Sequence, residues 1–150
     1  MTQSQDVVIY NVENHIATIT LNDPKSLNAF NTPMKSAIIS ALQEAEADAD
    51  VRVIILQGAG GNFSSGGDIK EMLSDGLERE ALSEKLKSMV EGAGEVSLLL
   101  RKIHKPIIAK LEGAVAGAGM NLALTCDFRI TADNAKFVQA FVHIGLVPDR

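Results

Sequence analysis

Gly113-Ala114-Val115-Ala116-Gly117-Ala118-Gly119 follows the apolar run Pro106-Ile107-Ile108-Ala109, and Phe63-Ser64-Ser65-Gly66-Gly67-Asp68-Ile69-Lys70 follows Val53-Ile54-Ile55-Leu56. Each is a β-branched run, then a turn of small residues, then helical spacing. A strand, a glycine turn and a helix start together present free backbone N–H groups at the positive end of a helix dipole. Two such turns that converge can hold one oxygen between two donors, the arrangement that stabilises an oxyanion. The pattern points to carbonyl chemistry. Leu56-Gln57-Gly58 and Leu111-Glu112-Gly113 end the two apolar runs in the same way, so a strand-turn-helix unit is used repeatedly. This predicts a stacked α/β superhelix rather than a doubly wound sheet.

Outward from these turns, the 150 residues are 46% hydrophobic with 4% aromatics and no Trp, enough for one domain whose core is built from Ile, Val, Leu and Ala. The net charge of -5 lacks the basic excess of a nucleic-acid binder. Cys126 is the lone cysteine, so no disulfide framework is expected and a reducing compartment fits. The first residues lack the basic and apolar regions of a signal peptide, and the uncharged run from Gly113 to Cys126 is too short and glycine-rich to span a membrane. The expected protein is soluble and cytoplasmic, with no membrane or nucleic-acid partner.

Val7 to Tyr10 and His15 to Leu21 read as paired strands turning at Glu13-Asn14, with His15 inside the second strand. Thr32-Pro33 reads as a helix start capped by the threonine hydroxyl, and Met34, Ile38, Ala41, Leu42 and Ala45 form one stripe. Further strands are expected over Val51 to Gln57, Ile107 to Leu111 and Asp127 to Thr131. Helices are expected over Asp68 to Leu73, over Leu77 to Lys102 with Leu82, Leu86, Met89, Val90 and Leu98 buried, and over Gly117 to Thr125. Residues Ala135 to Val142 fit a strand or a brief helix.

Other readings of the glycines compete. Neither turn is followed by Gly-Lys-Ser/Thr, so phosphate-loop chemistry is missing. Gly58-Ala59-Gly60-Gly61-Asn62-Phe63 and Gly117-Ala118-Gly119-Met120-Asn121-Leu122 begin like dinucleotide fingerprints but place Phe63 and Leu122 at the third glycine. The glycines could also serve only tight turns and close helix–sheet packing.

Phe63 to Met72, Lys105 to Gly119 with Cys126-Asp127, Ile16 to Asn22 and Ser26 to Phe30 together resemble the crotonase superfamily, the enoyl-CoA hydratase/isomerase group. The resemblance covers nearly the whole chain, in order and at the right spacing. It implies the ClpP/crotonase fold, a superhelix of strand-strand-helix units forming one core domain over residues 1–150, without the C-terminal helical region with which family members usually continue. It implies that the backbone N–H groups of Gly67 and Ala118 form the oxyanion hole for an acyl-CoA thioester. The backbone from Lys25 through Leu27 to Ala29, and from Asp68 through Ile69 to Lys70, would flank the CoA, with Ser65, Ala114 and Gly117 beside it. Coenzyme A would arrive as part of the substrate, with no separate cofactor and no metal. A homotrimer or hexamer is expected where the C-terminal region is present.

Family hydratases position a water with two glutamates, but their places hold Asn121 and Phe141 here. Gly145-Leu146-Val147-Pro148-Asp149 instead resembles the aspartate-bearing segment of family isomerases and of a dehalogenase subgroup. The neighbourhood from Ala135 onward is most similar to ring-1,2-epoxyphenylacetyl-CoA isomerases and Δ3,Δ2-enoyl-CoA isomerases. The resemblance implies that Asp149 is the acid/base of a proton shift, its plainer alternative being a surface Pro-Asp turn. Hydratase, dehalogenase or thioester-hydrolase chemistry, or a non-catalytic acyl-CoA-binding module, are the competing functions. His15 and His104 have no second ligand at metal spacing, and His143 could line the pocket. Asp68 could cap a helix, Ser64 and Ser65 show no Ser-His-Asp arrangement, and Glu78 to Lys87 reads as a solvated face.

Overall fold

The computed structural model describes residues 6–67, 94–140 and 142. Strands β1 (Val8–Glu13), β2 (Ile16–Leu21), β3 (Val53–Gly58), β4 (Ile107–Leu111) and β6 (Phe128–Thr131) make one sheet in the order β1-β2-β3-β4-β6. The first pair is antiparallel and the other three are parallel. Alternation in β2 points Ala17, Ile19 and Leu21 to one face. The parallel register carries that face across Ile54 and Leu56 to Ile107, Ala109 and Leu111, all buried. Helix α1 (Thr32–Ala47) covers β1 and β2 with its expected stripe of Met34, Ile38, Ala41, Leu42 and Ala45. Residues 94–102 form a second helix, α2, whose Val96 and Leu100 enter the same core.

A second, smaller layer pairs β5 (Ala114–Ala116) with β7 (Lys136–Val138) in parallel. Single bridges extend it from Val115 to Ser64 and from Gly67 to Phe30. Helix α3 (Gly117–Thr125) leaves directly from the end of β5, making β4, β5 and α3 one strand-strand-helix unit. The Asp127 carboxylate accepts the Ile107 N–H at 2.8 Å, while Asp127 N–H donates to the Ile107 carbonyl at 3.0 Å. These bonds pin the start of β6 beside the start of β4.

Four expectations change. The helix α1 cap is Asn31, whose backbone is extended and whose Oδ1 accepts the Met34 N–H at 2.9 Å; Thr32 is already helical and cannot be the half-in residue. The hairpin turns at Asn14-His15, both with positive φ, as a two-residue turn that matches strand twist requires. His15 is therefore in the turn, its Nδ1–H donating to the Asp50 carbonyl at 2.8 Å. Leu98 is 57% exposed because Val96 and Leu100, four apart, define the buried side and Leu98 falls opposite. The ambiguous stretch after Ala135 contains β7, since a partner strand is available in β5. The helix expected over Asp68 to Leu73, and Leu82, Leu86, Met89 and Val90, lie outside the described residues.

Candidate active site

Three chain segments meet beside α3. In the first, a single 3-10 turn (Pro24–Ser26) leads into Leu27 and Asn28, both left-handed at φ 55. Asparagine tolerates that conformation better than most residues because its short side chain bonds locally. Here Asn28 is fully buried and its amide is saturated. It donates to the Ala59 carbonyl at 2.9 Å and to the Asn62 carbonyl at 2.8 Å, and accepts the Asp23 N–H at 2.9 Å.

The second segment, Ser64 to Gly67, is stitched to the first. Ser65 N–H donates to the Leu27 carbonyl at 2.9 Å, the Ser65 hydroxyl donates to the Ser26 carbonyl at 3.0 Å, and Phe30 N–H donates to the Gly66 carbonyl at 2.7 Å. In a trans peptide the C=O and N–H point opposite ways, and the described residues contain no cis bond. Phe30's hold on the Gly66 carbonyl therefore turns the Gly67 N–H away from Phe30.

The third segment is the start of α3. Its N-cap is Ala116, which has no side chain to accept a hydrogen bond. The Ala114 carbonyl, which a helical pattern would offer to the Ala118 N–H, accepts instead from Ser64 N–H at 2.9 Å and Phe63 N–H at 3.1 Å. Among the described residues the Ala118 N–H therefore does not use the Ala114 carbonyl, and it lies at the positive end of the helix dipole. Gly66 is pressed against this helix start. It sits at φ +92, and a Cβ there would lie 2.7 Å from the Ala116 carbonyl oxygen and 3.2 Å from the Ala118 nitrogen. Only glycine fits there, so the Gly66 backbone lies directly against the start of α3.

The structure thus gathers Leu27, Ala29, Ser65, Gly67, Gly117 and Ala118 around one place, with Lys25 exposed on the adjoining turn. Asn121 follows Ala118 by three residues on α3 and so shares its face. The Ala114 N–H donates to the Asn62 Oδ1 at 2.9 Å, and Ala114 lines an open depression of about 470 Å³ with Ala116, Lys136 and Val138. Asp68, Ile69, Lys70, Phe141, His143 and Asp149 lie outside the described residues. No cluster of three His, Cys, Asp or Glu suited to a metal occurs among the described residues, and none of their helices is long and apolar enough to cross a membrane.

The two buried side chains that tie these segments together, Asn28 and Ser64, were not singled out from the sequence, because their partners lie far along the chain.

The family model described as enoyl-CoA hydratase/isomerase matches residues 11–150. The chain is 39% identical over 145 residues to the trans-2-decenoyl-[acyl-carrier-protein] isomerase of Streptococcus mutans, covering 95% of this chain and 53% of that protein. It is 36% identical over 145 residues to the 1,2-epoxyphenylacetyl-CoA isomerase of Escherichia coli, covering 96% and 54%. A crystal structure of an enoyl-CoA hydratase from Polaromonas superposes with a TM-score of 0.86 at 34% identity, over 95% of this chain and 54% of that one. The names of such relatives include both isomerases and hydratases. The chain spans about half the length of the relatives it matches. Its two layers and strand-strand-helix units are those of the crotonase fold, and the chain belongs to the enoyl-CoA hydratase/isomerase family.

Proposed function

We propose that this chain carries the thioester-binding and oxyanion-stabilising part of an acyl-CoA isomerase that moves a double bond or opens a ring epoxide by way of an enolate. The observation that supports the reading is the close contact of Gly66 with the start of α3, from which we infer that the Gly67 and Ala118 N–H groups face one oxygen. A thioester carbonyl gains negative charge as the proton on C2 leaves, and two fixed donors lower the energy of that charge as it forms. For the double-bond shift, Asp149 takes the C2 proton, the electrons move through the dienolate, and the protonated Asp149 returns the proton at C4. One carboxylate suffices, and a positioned acid/base contributes typically about 10²–10⁴-fold.

Hydration is the second reading, favoured by the hydratase names among the relatives. Against it stand Asn121 and Phe141, which replace the two glutamates expected for that chemistry. An amide and a phenyl ring cannot exchange protons with a water. Coenzyme A as the carrier, the absence of any further cofactor, a homotrimeric or hexameric assembly and a cytoplasmic location belong to the same proposal.

The test offers the full-length protein a 3-enoyl-CoA and, separately, a 2-enoyl-CoA in water. Conversion of the first without hydration of the second is expected, and Asp149→Asn should abolish it while leaving thioester binding intact. Hydration as the main reaction, or an active Asp149→Asn variant, overturns the isomerase assignment. Faster turnover of an acyl-carrier-protein thioester than of its CoA counterpart would replace the carrier.

A further inference from the structure

Ser64 is fully buried, one of two buried polar residues among those described. Its hydroxyl donates to the Asn28 carbonyl at 2.8 Å and accepts the Gly66 N–H at 3.2 Å. Its backbone is equally engaged, with N–H to the Ala114 carbonyl at 2.9 Å and C=O from the Ala116 N–H at 3.0 Å. Gly119, on the first turn of α3, rests directly on its side chain. One serine thus touches all three segments of the site.

The order of these bonds has a direction. Asn28 is held on three sides by its own amide, so its carbonyl is a fixed post. The Ser64 hydroxyl hangs from that post and holds the Gly66 N–H, while Phe30 holds the Gly66 carbonyl. Both peptide groups that flank the Gly66 Cα are therefore gripped, and the second of them carries the Gly67 N–H. Gly66 at φ +92 has no side chain to restrict its own rotation. Without the hydroxyl, the Gly66 N–H loses its acceptor, the peptide before Gly66 loses one of its restraints, and the buried Asn28 carbonyl loses its donor.

We infer that Ser64 is a positioning residue, whose hydroxyl aims the Gly67 N–H at the thioester oxygen by fixing the Gly66 backbone against Asn28. This rests on the oxyanion reading given above. Ser64 touches no substrate atom; it acts through Gly66. Its importance is then to the transition state, where donor placement matters most, more than to ground-state binding.

The experiment uses full-length protein, a substrate analogue with a ¹³C-labelled thioester carbonyl, and the infrared stretch of that carbonyl when bound. In the wild type the stretch moves to lower frequency on binding. In Ser64→Ala most of that displacement is lost, kcat falls by about 10–100-fold, as misplacement of a catalytic geometry does, and KM changes little. Ser64→Cys keeps the side chain's shape but has a weak donor and acceptor, so it gives an intermediate displacement and carries the test if the alanine variant does not fold. Folded Ser64 variants with the full displacement and wild-type kcat overturn the positioning role and leave the oxyanion reading standing. A wild-type protein with no displacement overturns both.

Discussion

Gly119 approaches Ser64 so closely that a methyl group on the glycine would sit 2.6 Å from the serine Cβ and 2.7 Å from its hydroxyl oxygen. Real side chains do not tolerate that separation, and the atoms it meets belong to a buried residue bonded on four sides. Gly119→Ala must therefore push α3 away from the Ser64 turn. Overpacking of this kind costs typically about 1–3 kcal/mol, and on the proposed oxyanion reading a shift of one donor relative to the other by up to about 1 Å lowers kcat by up to about 10²-fold. Thermal melting and steady-state kinetics on the same preparation check both effects. An alanine variant with unchanged melting and turnover would show that the contact is looser than this geometry.

Helix α2 offers a comparison between identical residue types. Leu100 is buried at 4% exposure, whereas Leu98 is 57% exposed. Leu100→Ala should cost about 2–5 kcal/mol through lost burial and the cavity left behind. Leu98→Ala should stay within about 0.5 kcal/mol. Urea denaturation of the two variants measures the difference, and equal losses would contradict the assigned face of the helix.

The same helix marks a limit of what was legible. The stripe of α1 could be read because Met34, Ile38, Ala41, Leu42 and Ala45 repeat over several turns between polar residues. Around Leu98 the sequence reads Val96-Ser97-Leu98-Leu99-Leu100, with three leucines in a row that point to three different sides of a helix, so periodicity could not choose the face. The core decided it through Val96 and Leu100. The glycine turns were legible because Gly66 and Gly119 occupy positions where a Cβ would collide with Ala116 or Ser64, a requirement that leaves a trace in composition. Ser64 and Asn28 leave no such trace. Their importance comes from partners remote in sequence, Ser64 with Asn28 and Asn28 with Ala59 and Asn62. In the same way, Thr32 and Asn31 are both good caps by type, and only backbone conformation separated them.

Cys126 should be chemically silent in the folded protein. Burial, and then the neighbouring Asp127, push its thiol up to about 12, and the Sγ–H donates to the Leu122 carbonyl at 3.4 Å. The nucleophile is the thiolate, which the fold suppresses. A thiol reagent at pH 8 should react with the native protein only as fast as the chain opens, and at once in denaturant. The linkage has a definite sign. The folded state resists losing the proton, so the cysteine has no effect on stability below the unfolded value of about 8.5 and opposes folding increasingly above it. Cys126→Ala should therefore remove part of the alkaline loss of stability. Rapid labelling of the native protein would contradict the buried placement.

His104 and Glu46 join the start of β4 to the end of α1 at the surface. His104 Nδ1 lies 2.9 Å from Glu46 Oε1, and the His104 backbone N–H donates to the same oxygen at 3.3 Å. The side-chain hydrogen bond is the main reason that the Glu46 carboxyl is held below its ordinary range, against a smaller opposing effect of burial. A depressed carboxylate contributes stability that is fully present above the unfolded value of about 4.3 and disappears as pH falls through the lower folded value. His104 is 91% exposed, so solvent and salt screen the pair and Glu46→Gln should cost less than about 1 kcal/mol at neutral pH. Lys105 also holds this helix end, its ammonium donating to the Ala45 carbonyl at 2.5 Å and the Asp48 carbonyl at 2.6 Å, and its charge adds a small lowering effect on Glu46. Urea midpoints of wild type and Glu46→Gln should thus differ slightly at pH 7 and converge as pH falls through the lowered folded value of Glu46. A gap that stays unchanged throughout acid titration would mean that shape, not charge, carries the contribution of this residue.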